Sequence, residues 1–350
     1  MVARMESRFR EIDVLRGLAA GTVLFSHYLP YWNRYLDKNL VLVPNEYGYF
    51  AVKLFFVISG FVIFMTLDHC KTVVDFAVSR FSRLYPVYWA SILVATSIGA
   101  VAFGDPIWLG GIVTNLTMFQ QFLGYPHLDN VYWSLSVELA FYLNAAWIFA
   151  IGLHRKPQWI VLVWLLLASL WALALHAPGE VTAFDLGGGD LPRDWFALLF
   201  SLDYSPYFAL GVLFHSVQRR GWSVSIAVLM ALAFLVEVLF ASWEGAAVFL
   251  VVGSLFALAV GGLLHFLVSR VTLWLGAVSY SLYLVHRNLG YRLLPWLHDH
   301  GLSAALAIGL TLVAALLLAT ALTYAVERPA SAYIRARYAR LLARAEASAS

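Results

Sequence analysis

The chain of 350 residues is poor in charge and nearly without cysteine. Charged residues make up 12% of it, about half the share usual in soluble domains. The single cysteine excludes an intramolecular disulfide framework and a cysteine-based metal cluster. A net charge of +3 is too small to indicate a nucleic-acid-binding protein. Hydrophobic residues are abundant instead, at 62%, and with 16% aromatic residues they predict a polytopic membrane protein.

Ten apolar stretches are long enough to cross a bilayer, and they predict an all-α integral membrane fold of about ten transmembrane helices. They are Ile12–Leu29, Tyr49–Leu67, Leu84–Phe103, Trp133–Leu153, Trp159–Leu175, Phe196–Val217, Val224–Ala241, Ala246–Val268, Leu273–Leu289 and Ala304–Val326. With these spans, 17 of the 23 Lys and Arg residues fall on the side of both termini, which the positive-inside rule places in the cytoplasm. The more polar segment Ile107–Leu123 is predicted to be re-entrant or interfacial.

The sequence predicts one transmembrane domain, residues 1–330, followed by a cytoplasmic basic tail, residues 331–350. In the tail, apolar residues recur at helical spacing between arginines. This pattern is typical of an amphipathic helix on an anionic membrane surface, and a solvated basic tail is the alternative.

Arg16 and His27 are ionisable residues within the first span. They are eleven residues apart, so they lie within about 20° of each other around the helix and about 16 Å apart along it. This spacing places Arg16 near the cytoplasmic boundary and His27 in the outer half. Ionisable groups inside a membrane are functional candidates by default, and the alternative is a snorkelling arginine with an interfacial histidine.

The fourth span begins with the sequence WSLSVE and carries a polar stripe of Ser134, Glu138 and Tyr142 at intervals of four. A carboxylate at this depth needs a partner, and His27, at similar depth, is the predicted one. Such a pair would orient the imidazole as a general base, whereas the alternative is a helix-packing hydrogen bond without chemistry. His286, on the ninth span, either lines the same cavity or marks the interface.

Arg80 and Arg83 are three residues apart, on one helical face beside the third span. Two guanidinium groups one turn apart suit bidentate binding of a multiply phosphorylated ligand, although basic residues are common in every cytoplasmic loop. Together with a His–Glu pair in the outer half, they predict a ligand whose charged end stays in the cytosol while its reactive end is presented to the other face.

These segments together resemble the acyltransferase-3 family of membrane O-acyltransferases, which includes lipopolysaccharide, exopolysaccharide and peptidoglycan O-acetylases. The resemblance extends over nearly the whole chain and rests on five motifs in the family's order. They are Arg16-x10-His27, the FFVISGF sequence around Ser59, Arg80-x2-Arg83, WSLSVE with Glu138, and YSLYLVH with Tyr283 and His286. Lys53 departs from the family pattern, and we expect the chain to lack the C-terminal SGNH esterase-like domain of some members.

The resemblance implies an enzyme that moves an acyl group, most often acetyl, from acyl-CoA to a hydroxyl of a cell-surface or lipid-linked glycan. His27 and Glu138 would be catalytic, and Arg16, Arg80 and Arg83 would bind the donor. Further residues expected at the site are Ser134, Tyr142, Ser59, Tyr283 and His286. Acyl-CoA is then a co-substrate, with no permanently bound cofactor and no metal. The expected location is a bacterial inner membrane, and the expected partners are the lipid bilayer and the glycan, not nucleic acid.

A proton-coupled secondary transporter is the rival interpretation, in which Arg16, His27, Glu138 and His286 form a proton relay. Inverted repeats and paired broken helices would favour a transporter, and the sequence displays no convincing example of either. Direct transfer and transfer through an acyl-enzyme are both compatible with the motifs.

Overall fold

A computed structural model describes residues 10–37, 47–175, 195–240 and 243–349, and within these ranges the chain is helical and has no β-strand. The α-helices of the described residues are α1 (Arg10–Tyr31), α2 (Tyr47–Leu67), α3 (Val73–Phe103), α4 (Leu109–Leu116), α5 (Trp133–Ala150), α6 (Pro157–Leu175), α7 (Trp195–Leu199), α8 (Ser205–Arg220), α9 (Val224–Phe240), α10 (Trp243–Val260), α11 (Arg270–Asp299), α12 (Ala304–Leu322) and α13 (Arg328–Ala349). A short π-helix follows α1, at Trp32–Leu36, and another joins α12 to α13, at Thr323–Glu327.

Several of these helices are suited to a membrane by length and composition. Four helical segments of the described chain are long and apolar enough to cross a bilayer, namely Gly48–Leu67, Val73–Phe103, Trp243–Val260 and Ala304–Ala347. Two shorter apolar helices are Pro157–Leu173 and Val224–Leu239. The predicted all-α class is therefore confirmed, whereas the count of ten spans and the cytoplasmic position of the termini stay predictions.

The predicted sixth span, Phe196–Val217, is not one continuous helix. It consists of the short α7, a turn in which Ser201 has a φ of 49°, and α8, which begins at Ser205. The break lies at Ser201, whose left-handed backbone cannot continue a right-handed helix. Pro206 lies in the first turn of α8, where the N–H that it lacks would have no partner within the helix. Whether this stretch crosses the bilayer stays a prediction.

The segment Ile107–Leu123, predicted to be re-entrant or interfacial, folds as the short α4 followed by turns. It is fastened to α3 by two side chains. The Trp89 indole N–H donates to the carbonyl of Leu116 at 2.8 Å, and the Tyr85 hydroxyl donates to the carbonyl of Thr117 at 2.9 Å. Its depth relative to a bilayer stays a prediction.

Helices that carry the predicted motifs pack with their backbones in contact. A Cβ on Gly60 of α2 would lie 2.2 Å from the carbonyl oxygen of Phe208, and a Cβ on Gly211 of α8 would lie 2.1 Å from that of Val57. α1 and α11 meet in the same way through Gly276. Such approach through small residues is a principal means of helix association in membranes, because lipid provides no hydrophobic drive between helices.

Substituting Gly211 by alanine is expected to destabilise the protein by about 1–3 kcal/mol, the usual cost of forcing a methyl group into a packed contact. The obstacle is a backbone carbonyl, which cannot rotate away. Thermal unfolding in detergent measures the effect. Gly309→Ala is the matched control, because no atom lies within 4 Å of its Cβ position. Equal midpoints for the two variants would contradict the close packing of α2 and α8.

The basic tail is helical over the described part of its length, as predicted, and it continues the last span through the π-helix. The Tyr338 hydroxyl donates to Asp75 at 2.8 Å, and the Arg335 guanidinium donates to the Ser82 hydroxyl at 3.2 Å. These contacts fix α13 against the start of α3. The domain boundary at residue 330 and the tail's contact with a membrane surface stay predictions.

Candidate active site

One cavity brings together most of the residues that the motifs single out. It has a volume of about 130 Å³ and lies among α1, α2, α3, α5 and α11. The predicted site residues that line it are Arg16, Ser59, Arg80, Arg83, Ser134, Glu138, Tyr142 and Tyr283. We call it the arginine cavity. Residues from five helices converge here, although almost 270 positions separate the first from the last.

Glu138 is held in the arginine cavity by two hydroxyl groups. The Ser59 hydroxyl of α2 donates to its Oε1 at 2.6 Å, and the Tyr142 hydroxyl, one turn further along α5, donates to the same atom at 2.5 Å. The predicted pairing of Glu138 with His27 is therefore not formed in this structure. The two residues were matched by depth alone, but His27 faces a different cavity.

The three arginines predicted to bind the donor differ in whether a carboxylate pairs with the guanidinium group. Arg83 forms an ion pair and hydrogen bond with the buried Glu327, which also accepts a hydrogen bond from Ser281 at 3.2 Å. Arg16 lies 3.3 Å from the half-exposed Asp13. Arg80 has no carboxylate within ion-pair distance in the described part of the chain. Of the three, Arg80 is thus the one with its charge free for a ligand.

Arg80 is fixed in place without being neutralised. Its guanidinium donates to the Thr66 hydroxyl at 3.3 Å and to the Ser79 hydroxyl at 3.0 Å. It also lies over the rings of Phe76 and Tyr142, at 6.0 and 5.9 Å from their centres, an arrangement that favours a cation.

A second cavity, of about 180 Å³, is lined by His27 and by the N-terminal end of α2. We call it the histidine cavity. Nδ1 of His27 lies 3.3 Å from the hydroxyl of Tyr291, and the rings of His27 and His286 are 5.2 Å apart between centres. Arg287 also lines this cavity, stacks over Tyr291 at 4.6 Å and pairs with Asp129 at 3.2 Å.

His286 is buried beside this cavity with a defined tautomer. Its Nδ1 lies 2.8 Å from the carbonyl oxygen of Tyr283. A carbonyl oxygen can only accept, so Nδ1 carries the hydrogen and Nε2 has a free lone pair in the neutral ring. Nε2 has no hydrogen-bond partner among the described residues. His286 neighbours His27 but is not among the residues that line the arginine cavity or the histidine cavity.

Tyr283 and Val52 line both cavities and separate them. The Tyr283 hydroxyl lies 2.6 Å from the Ser134 hydroxyl and donates to the carbonyl of Val131 at 3.0 Å. The arginine cavity and the histidine cavity are thus two compartments on opposite sides of one tyrosine.

Motif spacing failed to identify Tyr291 and Glu327, the residues that contact His27 and Arg83. Glu327 had a usable signal, because an acidic residue at the end of an apolar run must find a cation when it is buried. Tyr291 had none, since it lies on the other side of a helix crossing from His27.

The chain is similar to a protein family and to proteins of known name. The acyltransferase-3 family model, described as an acyltransferase domain, matches residues 9–342. Acyltransferase MdmB of Streptomyces mycarofaciens is 28% identical, over 93% of this chain and 93% of its own length. The exopolysaccharide production protein ExoZ of Rhizobium meliloti is 29% identical over a shorter part, 39% of this chain and 43% of its own length. No solved structure matches.

The match with the family extends from the first residues of α1 into α13, so it includes every helix that lines the two cavities. The resemblance inferred from five short motifs is confirmed by it. The chain belongs to the acyltransferase-3 family and is an acyltransferase.

Proposed function

We propose that the protein moves an acyl group, most simply acetyl, from acyl-CoA to a hydroxyl of a cell-surface or lipid-linked glycan. The observation that carries this proposal is the pair of cavities divided by Tyr283. One contains the cationic side chains that suit a phosphorylated donor, and the other contains His27, which suits an acceptor hydroxyl. A relative named for exopolysaccharide production supports a glycan acceptor.

In the proposed reaction His27 acts as the general base. It donates its Nδ1 hydrogen to the Tyr291 hydroxyl oxygen, which leaves Nε2 free to take the proton of the acceptor hydroxyl. The acceptor oxygen attacks the thioester carbonyl carbon, the C–S bond breaks, and the new ester stays on the acceptor. CoA leaves as a thiolate that takes up a proton. Holding both substrates at one tyrosine supplies the proximity that the transfer needs.

We assign Glu138 a role other than the one predicted for it. Its carboxylate accepts hydrogen bonds from Ser59 and Tyr142 in a cavity that also contains Arg16 and Arg80. It acts as a positioning residue that fixes α2 against α5, with no proton transfer to or from the acceptor.

Transfer of label tests this function. Membranes containing the protein are incubated with [14C]acetyl-CoA and a candidate glycan, and mild alkali then releases ester-linked acetate. Labelled ester is expected only when enzyme and acceptor are both present. Label that precipitates with the protein before acceptor is added would identify an acyl-enzyme route. Proton-driven solute uptake without any ester would contradict the proposal and favour a transporter.

Arg80→Ala is expected to weaken acetyl-CoA binding about 10- to 150-fold, the loss of one charge-assisted contact worth roughly 1.5–3 kcal/mol. Arg80→Lys should restore part of the affinity, because an ammonium keeps the charge but lacks the fork of donors. The KM for acetyl-CoA measures the effect. Arg83 is a poor subject for this test, since its removal leaves the buried Glu327 unpaired.

Arg340→Ala is the control for this measurement, because Arg340 is exposed on α13 and away from both cavities. Its KM should equal that of the native protein. An unchanged KM for the well-folded Arg80→Ala variant would mean that Arg80 does not bind the donor and serves only as a positive charge on the cytoplasmic side.

A further inference from the structure

A third and larger cavity lies at the end of the bundle where α2 ends and α3 begins. Its volume is about 730 Å³, and the α5–α6 connection and the end of α8 complete its walls. We call it the basic cavity. Four basic side chains of lysine and arginine line it, with one carboxylate: Lys71, Arg155, Arg219, Arg220 and Asp68. The predicted topology places all of them on the cytoplasmic side, where a soluble donor would arrive.

The single carboxylate of the basic cavity is already neutralised. Asp68 Oδ2 accepts from His215 Nε2 at 2.8 Å and from the Arg219 guanidinium at 2.5 Å. His215 is only 5% exposed, and its Nδ1 has no hydrogen-bond partner among the described residues. A buried polar atom left in this way needs a ligand, water or ion to satisfy it.

The other basic side chains of the basic cavity are not paired with a carboxylate among the described residues. Lys71, Arg155 and Arg220 have no carboxylate within ion-pair distance in the part of the chain that the structure describes. Arg220 donates from its guanidinium to the backbone carbonyl of Arg155 at 3.0 Å, and both residues line the cavity. Burial, followed by the charge of Arg155, lowers the pKa of His154. The cavity is therefore suited to an anion.

The basic cavity follows the arginine cavity along the same three helices. Lining residues of the two cavities are one turn apart on α2, at Ile63 and Leu67, and seven residues apart on α5, at Tyr142 and Phe149. Spacings of four and seven residues return to nearly the same helical face, and seven residues rise about 10 Å. Arg80 lies seven residues from Val73 on α3 in the same way. One elongated molecule could thus occupy both.

Volume decides which part of the donor each cavity can hold. Pockets that enclose a ligand of nucleotide size measure about 300–1,000 Å³, so the arginine cavity at 130 Å³ is too small and the basic cavity at 730 Å³ is large enough. The narrow arginine cavity suits a slender, flexible arm such as pantetheine. Arg16, Arg80 and Arg83, which line the arginine cavity, therefore have no room beside them for the whole nucleotide.

We propose that the basic cavity binds the 3′-phosphoadenosine end of the acyl-CoA donor, with the 3′-phosphate on Arg155 and Arg220. The pyrophosphate then lies toward Arg80, and the pantetheine arm runs through the arginine cavity to Tyr283. This inference rests on the proposed function for the identity of the donor. An anionic lipid headgroup offers the same phosphate chemistry, and the experiment distinguishes it.

Cys70 provides a native reporter for this site. It is the only cysteine of the sequence, it is partly exposed, and it lines the basic cavity. Burial raises the pKa of its thiol, so alkylation is followed at mildly alkaline pH. The measurement is the rate at which a maleimide alkylates Cys70 in detergent or in nanodiscs, with and without a nucleotide that carries no thiol of its own.

Adenosine 3′,5′-bisphosphate is expected to protect Cys70 at a concentration about 10-fold lower than adenosine 5′-monophosphate does. The reason is that only the bisphosphate presents a 3′-phosphate to Arg155 and Arg220. In Arg155→Gln and Arg220→Gln this preference should fall to about 3-fold or less. Arg270→Gln is the matched control, since Arg270 is exposed at the start of α11 and outside the basic cavity. It should keep the full preference.

Equal protection by the two nucleotides, or none, would overturn the assignment. Protection that needs phosphatidylglycerol in the nanodisc and no nucleotide would replace it with a lipid site. Acetyl transfer by the native protein tests the proposed function independently of Cys70 protection. Transfer without Cys70 protection refutes the basic cavity alone, and protection without transfer refutes the reaction while leaving the nucleotide site intact.

Discussion

Replacing His27 by alanine is expected to lower turnover by about 10²–10⁴, the usual contribution of a positioned general base. The reason is geometric. His27 lines the cavity on the acceptor side of Tyr283, its Nδ1 is within reach of Tyr291, and no carboxylate neutralises the ring in the described part of the chain. Donor binding should be unchanged, because the arginines assigned to the donor lie in the other two cavities. Acetyl transfer at saturating acetyl-CoA measures the loss.

Tyr291→Phe is the companion variant, since it removes the hydroxyl that contacts His27 and keeps the ring stacked on Tyr31 at 4.1 Å. A smaller loss, of about 10-fold, is expected if Tyr291 orients the base. Near-normal turnover in His27→Ala would transfer the role of base to His286, whose Nε2 is free. A loss of nucleotide protection at Cys70 in His27→Ala would show that the variant has lost more than its base.

Lys53→Met is expected to destabilise the protein by about 3–5 kcal/mol, the cost of leaving one partner of a buried ion pair without the other. Lys53 Nζ lies 2.8 Å from Glu237 Oε1, and their side chains are 4% and 2% exposed. Tyr207 also donates to this carboxylate, at 2.6 Å, and Tyr49 packs over the ammonium at 4.6 Å. The midpoint of thermal unfolding in detergent measures the change.

The double variant Lys53→Met, Glu237→Gln should recover most of that stability, because an amide oxygen still accepts from Tyr207 and no charge stays buried. The pair Arg292 and Asp105 supplies a control, since its members are 24% and 43% exposed. Breaking it should cost less than about 1 kcal/mol. Equal effects for the two pairs would contradict the burial of Lys53 and Glu237.

The sequence predicted which residues form the arginine cavity but not how they pair. Arg16 and Glu138 were identified because charges inside a membrane are rare. Arg80 and Arg83 were identified because two guanidinium groups one turn apart suit a phosphorylated ligand. Their partners depend on how the helices are rotated about their axes, which depth and spacing leave undefined. Glu138 was matched to His27 by depth, yet its hydrogen bonds come from hydroxyls of α2 and of its own helix.

The basic cavity escaped prediction for a related reason. Its cations come from three parts of the chain that are far apart in sequence, and basic residues of this kind are common in any cytoplasmic loop. What separates them from ordinary loop residues is that they line one cavity, which only the folded structure reveals. Lys53 was seen in the sequence as a departure from the family pattern, and the structure gives it a partner 184 positions away.

One helical segment runs from Ala304 to Ala347 and joins the last predicted span to the basic tail. At 1.5 Å per residue its 44 residues extend about 66 Å, roughly twice the thickness of the hydrocarbon core. Its far half can therefore meet the headgroups only if the rod tilts or bends. The π-helix lies between the two halves and contains Glu327, whose carboxylate holds Arg83 at the arginine cavity. A displacement of α13 would therefore act on its contacts with α3, at Tyr338 and Arg335, before it reached the pair of Arg83 and Glu327.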